Sequence, residues 1–116
     1  MNDDDMRIVT NNISRAEIQE LANQRFGDMT KAVVDLERRV MAVGGEMHAD
    51  LEALLLEQGS KQMNLWGINL YPRIIDDSWI EFDSMINIRP TQGNRSRGVE
   101  DEATRKRIVE LVRALV

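Results

Sequence analysis

The sequence predicts a single α+β domain: a mainly antiparallel sheet of four to five strands and three helices, packed in two layers in the order (β)αββαββα. Three observations carry this expectation. Strict two-residue alternation, clearest in the stretches 64–71 and 79–89, marks strands. Helical apolar spacing, with a capping box at the first segment and acids at the start of the later two, marks helices near 14–27, 50–58 and 100–116. Strands also arrive in consecutive pairs, each pair followed by a helix. Hairpins with their helices gathered on one face are then the economical packing.

Composition sets the limits. A chain of 116 residues fits one domain with an ordinary core. Residues 1–5, Met-Asn-Asp-Asp-Asp, read as a solvated acidic tail, and 6–116 as the domain. No apolar run approaches the ~20 residues of a membrane span, and the acidic start lacks the features of a signal peptide. A cytoplasmic location with no membrane partner follows as an expectation. The absence of cysteine excludes disulfides, thiolate zinc sites and cysteine nucleophiles. A net charge of -5 argues against a dedicated nucleic-acid binder. Seven of the fifteen Lys and Arg residues nevertheless fall between Arg89 and Arg113, enough for a local basic patch.

Taken in order, Met6 to Thr10 is a short β-branched stretch that could add a strand. Ser14 and Glu17 form a capping box, with Ile13 and Ile18 placed as its hydrophobic staple. Ile18, Leu21, Ala22 and Phe26 continue the helical stripe, and Gly27 is placed to stop it. Lys31–Leu36 and Val40–Val43 read as a hairpin, although Glu37-Arg38-Arg39 discloses no turn type. Gly44-Gly45 marks a bend or a close approach. A second helix is expected from about Asp50 to Gln58, a third strand over Asn64–Tyr71 and a fourth over Trp79–Arg89, ended by Pro90. In that fourth strand Ile80, Phe82, Ile86 and Ile88 would face the core. Trp79, Glu81, Asp83, Met85, Asn87 and Arg89 would face an uncovered side of the sheet. The last helix carries Ile108, Leu111, Val112 and Leu115 inward, with Glu102 and Lys106 paired at i, i+4.

Four stretches, Met47-His48-Ala49-Asp50, Gly59-Ser60-Lys61-Gln62, Leu65-Trp66-Gly67-Ile68-Asn69-Leu70-Tyr71-Pro72 and Ile88-Arg89-Pro90-Thr91-Gln92-Gly93-Asn94-Arg95-Ser96, resemble a small bacterial family classed as a domain of unknown function. The resemblance runs from about Ile8 to the C-terminus. It implies a complete domain, and no activity, cofactor or catalytic residue.

Three candidate sites follow from residue chemistry. The first is the loop after the fourth strand, with Arg89, Gln92, Asn94, Arg95, Ser96 and Arg97, joined by Asn69 from the third strand. Arginine forks and glycine-exposed amides suit an anion. The competing reading pairs Arg95 and Arg97 with nearby carboxylates and uses Asn94 or Ser96 to shape the turn. The loop lacks the Gly-Lys-Ser/Thr ending of a P-loop, and no cofactor is expected. The second candidate is His48, the one histidine, as acid/base with Asp50 as its orienter. The alternative role for His48 is a helix cap or a polar junction between sheet and helix. The spacing is not that of a zinc protease, and no metal is expected. The third is an interface on the open sheet face, anchored by Trp79 with Tyr71 and Met85.

No catalytic signature emerges. The sequence therefore points first to a small non-enzymatic binding or assembly module that forms homodimers or larger homo-oligomers through a sheet face or edge. The alternative is a protein, enzyme or binder, for a phosphorylated or otherwise anionic small molecule, using His48, Asp50 and the Arg89–Arg97 loop.

Overall fold

A computed structural model describes residues 6–116; the acidic tail at 1–5 lies outside the described residues. The elements are β1 (Arg7–Val9), α1 (Arg15–Asn23), β2 (Thr30–Asp35), β3 (Val40–Val43), α2 (His48–Glu57), β4 (Leu65–Leu70), β5 (Ile80–Glu81) and α3 (Glu102–Leu115). The five strands form one antiparallel sheet in the order β1-β3-β2-β4-β5. The α+β class, the three helices and the element order are those expected from the sequence.

Local chemistry sets the boundaries. Ser14 Oγ accepts the Glu17 N–H and the Glu17 carboxylate accepts the Ser14 N–H, so the capping box starts α1 as the sequence indicated. The β2–β3 turn is closed by Asp35. Its Oδ1 accepts the Glu37 and Arg38 amides at 2.9 and 3.0 Å, and its Oδ2 accepts the Ser60 hydroxyl at 2.6 Å. Helix α2 begins at His48, two residues before the expected Asp50. Its N-cap is Met47, which has no side chain to announce it. Asp101 caps α3 by accepting the Thr104 amide, and the Glu102–Lys106 pair forms at 3.7 Å.

The helices divide between the two faces of the sheet. Ala32 and Val34 of β2, Met41 and Val43 of β3, and Trp66, Ile68 and Leu70 of β4 pack with Ile18 of α1 and with Ile108, Leu111, Val112 and Leu115 of α3. The opposite parity, Val33, Val40, Ala42 and Leu65, packs with Leu51 and Leu55 of α2 and with Ile86. All six residues of β4 are buried, the pattern of a strand covered on both sides. The expectation of an uncovered second face is thereby corrected. Helix α2, read as a partner of α1 and α3, lies across the sheet from them.

The fourth strand is also shorter than expected. Only Ile80 and Glu81 pair with β4, and the chain then leaves the sheet through tight turns at Met85–Asn87 and Pro90–Gln92. Side chains that bond locally cause this. Asp76 accepts the Ser78 amide just before the strand, and Ser84 accepts the Ile86 amide just after it. The odd–even alternation therefore inverts beyond Met85: Asn87 and Arg89 are buried while Ile88 is exposed. Trp79, expected on the open face, is buried in the α1/α3 core under the Arg15 guanidinium, 3.9 Å from the ring centroid.

Candidate functional site

The segment 84–100 repairs the sheet where β5 stops. Continuing the register from Asn69 opposite Glu81 would set Asp83 against Gly67. The Asn87 side chain takes that place instead. Its Oδ1 accepts the Gly67 N–H at 2.8 Å, and its Nδ2 donates to Gly67 O at 3.0 Å and to Arg97 O at 2.9 Å. Glycine is required at position 67, since a Cβ there would lie 2.6 Å from Ser84 Cβ. Arg89 extends the repair. It donates to the carbonyls of Gln62 and Leu65 at 2.5 Å each and stacks on Trp66 at 4.3 Å.

The loop that follows is wired internally. Asn94 Nδ2 donates to the carbonyls of Asn87, Ser96 and Gly98, and its Oδ1 accepts the Glu100 amide. The Glu100 carboxylate accepts the Arg95 and Ser96 amides at 2.8 Å each. These bonds, Arg95 first, hold its carboxyl below the ordinary range. Gln92 donates to Met63 O, and Arg97 Nε meets Asp83 at 2.6 Å. Asn94 thus shapes the turn, as the competing reading had it, and the Arg89 and Gln92 side chains also donate to backbone carbonyls. The backbone amides of Arg95 and Ser96, the natural anion cradle of such a loop, are already occupied by Glu100.

What the structure gathers is a different set. A cavity of about 430 Å³ opens where α2 begins, beside the β4–β5 junction, and His48, Asn69, Glu81, Asp83 and Arg97 border it. Its floor follows from strand register: Lys31 of β2 lies opposite Asn69 of β4, which lies opposite Glu81 of β5. Three neighbouring strands therefore present a cation, an amide and a carboxylate in one row on one face. Met29, Met47 and Met85 add apolar surface, with Met47 and Met85 largely exposed.

Asn69 is held firmly. Its Nδ2 donates to Glu81 Oε1 at 2.8 Å and to Asp83 O at 3.2 Å, and the Tyr71 hydroxyl donates to the same Glu81 oxygen at 3.1 Å. Both partners of Nδ2 are acceptors only, which fixes the amide orientation. Its Oδ1 lies beside the His48 side chain, in a residue only 5% exposed, and is buried without a hydrogen bond of good geometry. Gln19 Oε1 and Arg89 Nε share that condition, but neither residue borders this cavity.

His48 is a buried polar junction between helix and sheet, the alternative the sequence left open. With the imidazole neutral, its Nε2–H donates to Ile68 O at 2.8 Å. Burial is the main influence on its pKa, and the Lys31 ammonium acts in the same direction. The Ile68 carbonyl, Asp83 and the neighbouring Asn69 amide oppose them, and the balance falls below the ordinary imidazole value. Asp50 is exposed and lines a separate depression with Met6, Ala53 and Glu57, so it does not orient His48.

Of the residues expected to form sites, His48, Asn69, Tyr71, Met85 and Arg97 converge here. Asp50, Trp79, Arg89, Gln92, Asn94, Arg95 and Ser96 do not border the cavity. Sequence reasoning missed Lys31, Glu81 and Asp83 as site residues. Their signal was the pairing of β2 with β4, a long-range partnership that no local pattern discloses. Among the described residues no group of three His, Cys, Asp or Glu side chains is placed to hold a metal ion. No helix among them is long and apolar enough to cross a membrane.

No curated protein and no solved structure matches the chain. A family of proteins of unknown function, DUF5674, matches residues 7–115. That match spans every helix and strand described above, and the chain belongs to this family.

Proposed function

We propose that the protein is a small-molecule binding module whose ligand occupies the cavity over Lys31, Asn69 and Glu81. The observation that carries this reading is the row Lys31–Asn69–Glu81, a cation, an amide and a carboxylate side by side on the floor of an open cavity. Methionine-rich margins adapt their shape to a ligand at little cost. Binding rather than turnover is favoured because His48 has no carboxylate orienter and its Nε2 is committed to a backbone carbonyl.

The test is a protein-observed NMR screen with a fragment mixture of small amides, alcohols and amines. Shifts centred on the backbone amides of Met47, Asn69 and Met85 support the reading. Hits confined to other surfaces, or none at all, overturn it.

Self-association belongs to the same module reading. Helices cover much of both sheet faces, which favours the edges, and β1 offers three residues with one side unpaired.

A further inference from the structure

We infer that the ligand is zwitterionic: a free α-amino acid with an apolar side chain. The inference rests on the cavity being a binding site and specifies what enters it. The cross-strand row places a cation and a carboxylate at its two ends with Asn69 between them. Neighbouring strands stand ~5 Å apart, so the backbones of Lys31 and Glu81 are ~10 Å apart. Their side chains, Lys31 with a flexible four-carbon stem, can close on opposite charges carried by one small molecule.

The occupancy of each charge narrows the choice. Arg97 and Asp83 engage each other at 2.6 Å. Glu81 has Oε1 fixed by Asn69 and Tyr71, leaving Oε2 to face a ligand. Lys31 contacts the face of Phe26 at 5.1 Å, a weak and reversible restraint. The charges that remain for a ligand are therefore one negative and one positive. An ammonium, with donors only, meets the Glu81 carboxylate. A carboxylate beside it takes Lys31, and an apolar side chain lies against Met29, Met47 and Met85. A phosphate dianion would face Glu81 and Asp83 with no surplus of cations. A bare divalent metal finds no set of three ligands among the described residues.

Calorimetry on the full chain tests this with L-leucine and two analogues that each lack one charge, N-acetyl-L-leucine and L-leucine methyl ester. The free amino acid is expected to bind, and each analogue to bind at least about tenfold more weakly. Glu81→Gln should abolish discrimination against the acetylated compound, and Lys31→Met discrimination against the ester. Both positions border solvent, and circular dichroism checks that each variant is folded. An analogue that binds as well as the free amino acid overturns the inference. So does a panel of proteinogenic amino acids that all fail to bind while neutral fragments bind in the cavity, a result that leaves the cavity reading intact. If fragments and amino acids alike avoid the cavity, both readings fall.

Discussion

His48, Asn69, Gly67 and Asn87 each answer a need set by the end of β5. Asn87 supplies a side-chain amide where a strand would have supplied a backbone. Asn87→Ala leaves both polar groups of Gly67 and the Arg97 carbonyl without that partner. It should cost at least about 2 kcal/mol in urea unfolding, with the m-value unchanged. Gly67→Ala drives a Cβ into Ser84 and should cost about 1–3 kcal/mol by the same measurement. A variant at either position as stable as the parent would show that the segment does not depend on this contact. His48 makes a pH prediction. Its folded pKa lies below the ordinary value of 6.5, so as pH falls from there toward the folded value, the unfolded chain takes up the proton first. Stability is retained above about 6.5 and lost progressively below it. The urea midpoint of the wild type should therefore fall between about pH 7 and pH 5 more steeply than that of His48→Gln. Parallel curves would contradict burial of a neutral imidazole.

At the level of elements, what local chemistry writes was legible and what distant partners decide was not. Ser14 and Glu17 announce α1 because a capping box is complete within four residues. Ser14→Ala should cost about 1 kcal/mol in thermal or urea unfolding, and no change would mean that the box is redundant with the Ile13–Ile18 staple. Alternation at 64–71 placed Trp66, Ile68 and Leu70 on one face, and they share one core. The same rule failed at 79–89. There Ser84 captures a backbone amide and Asn87 and Arg89 turn inward to serve β4, so two polar residues that look solvent-facing are buried. A polar side chain that replaces a missing strand is indistinguishable, in sequence, from one that faces water. For the same reason the 89–97 loop read as an anion cradle: its amides and amide side chains are of the right kind, but Glu100 and nearby carbonyls occupy them. The start of α2 was obscured differently, since a methionine N-cap leaves no chemical mark.

For the whole molecule, the division of helices between faces decides where anything can bind. Helix α2 covers one end of its sheet face, and beyond its first residue the row Lys31–Asn69–Glu81 carries the polar floor of an open cavity. The parts of the sheet that helices cover cannot pair with a second copy, so light scattering on the purified chain tests the proposed association through an edge. Self-association through β1 predicts a mass above that of one chain, and a mass of one chain would end that proposal. The cavity itself is tested most directly by crystals soaked with the mixture of amides, alcohols and amines. If the cavity is the binding site, ordered density will lie over the row Lys31–Asn69–Glu81. Fragments ordered elsewhere on the molecule, with none in this cavity, would contradict it.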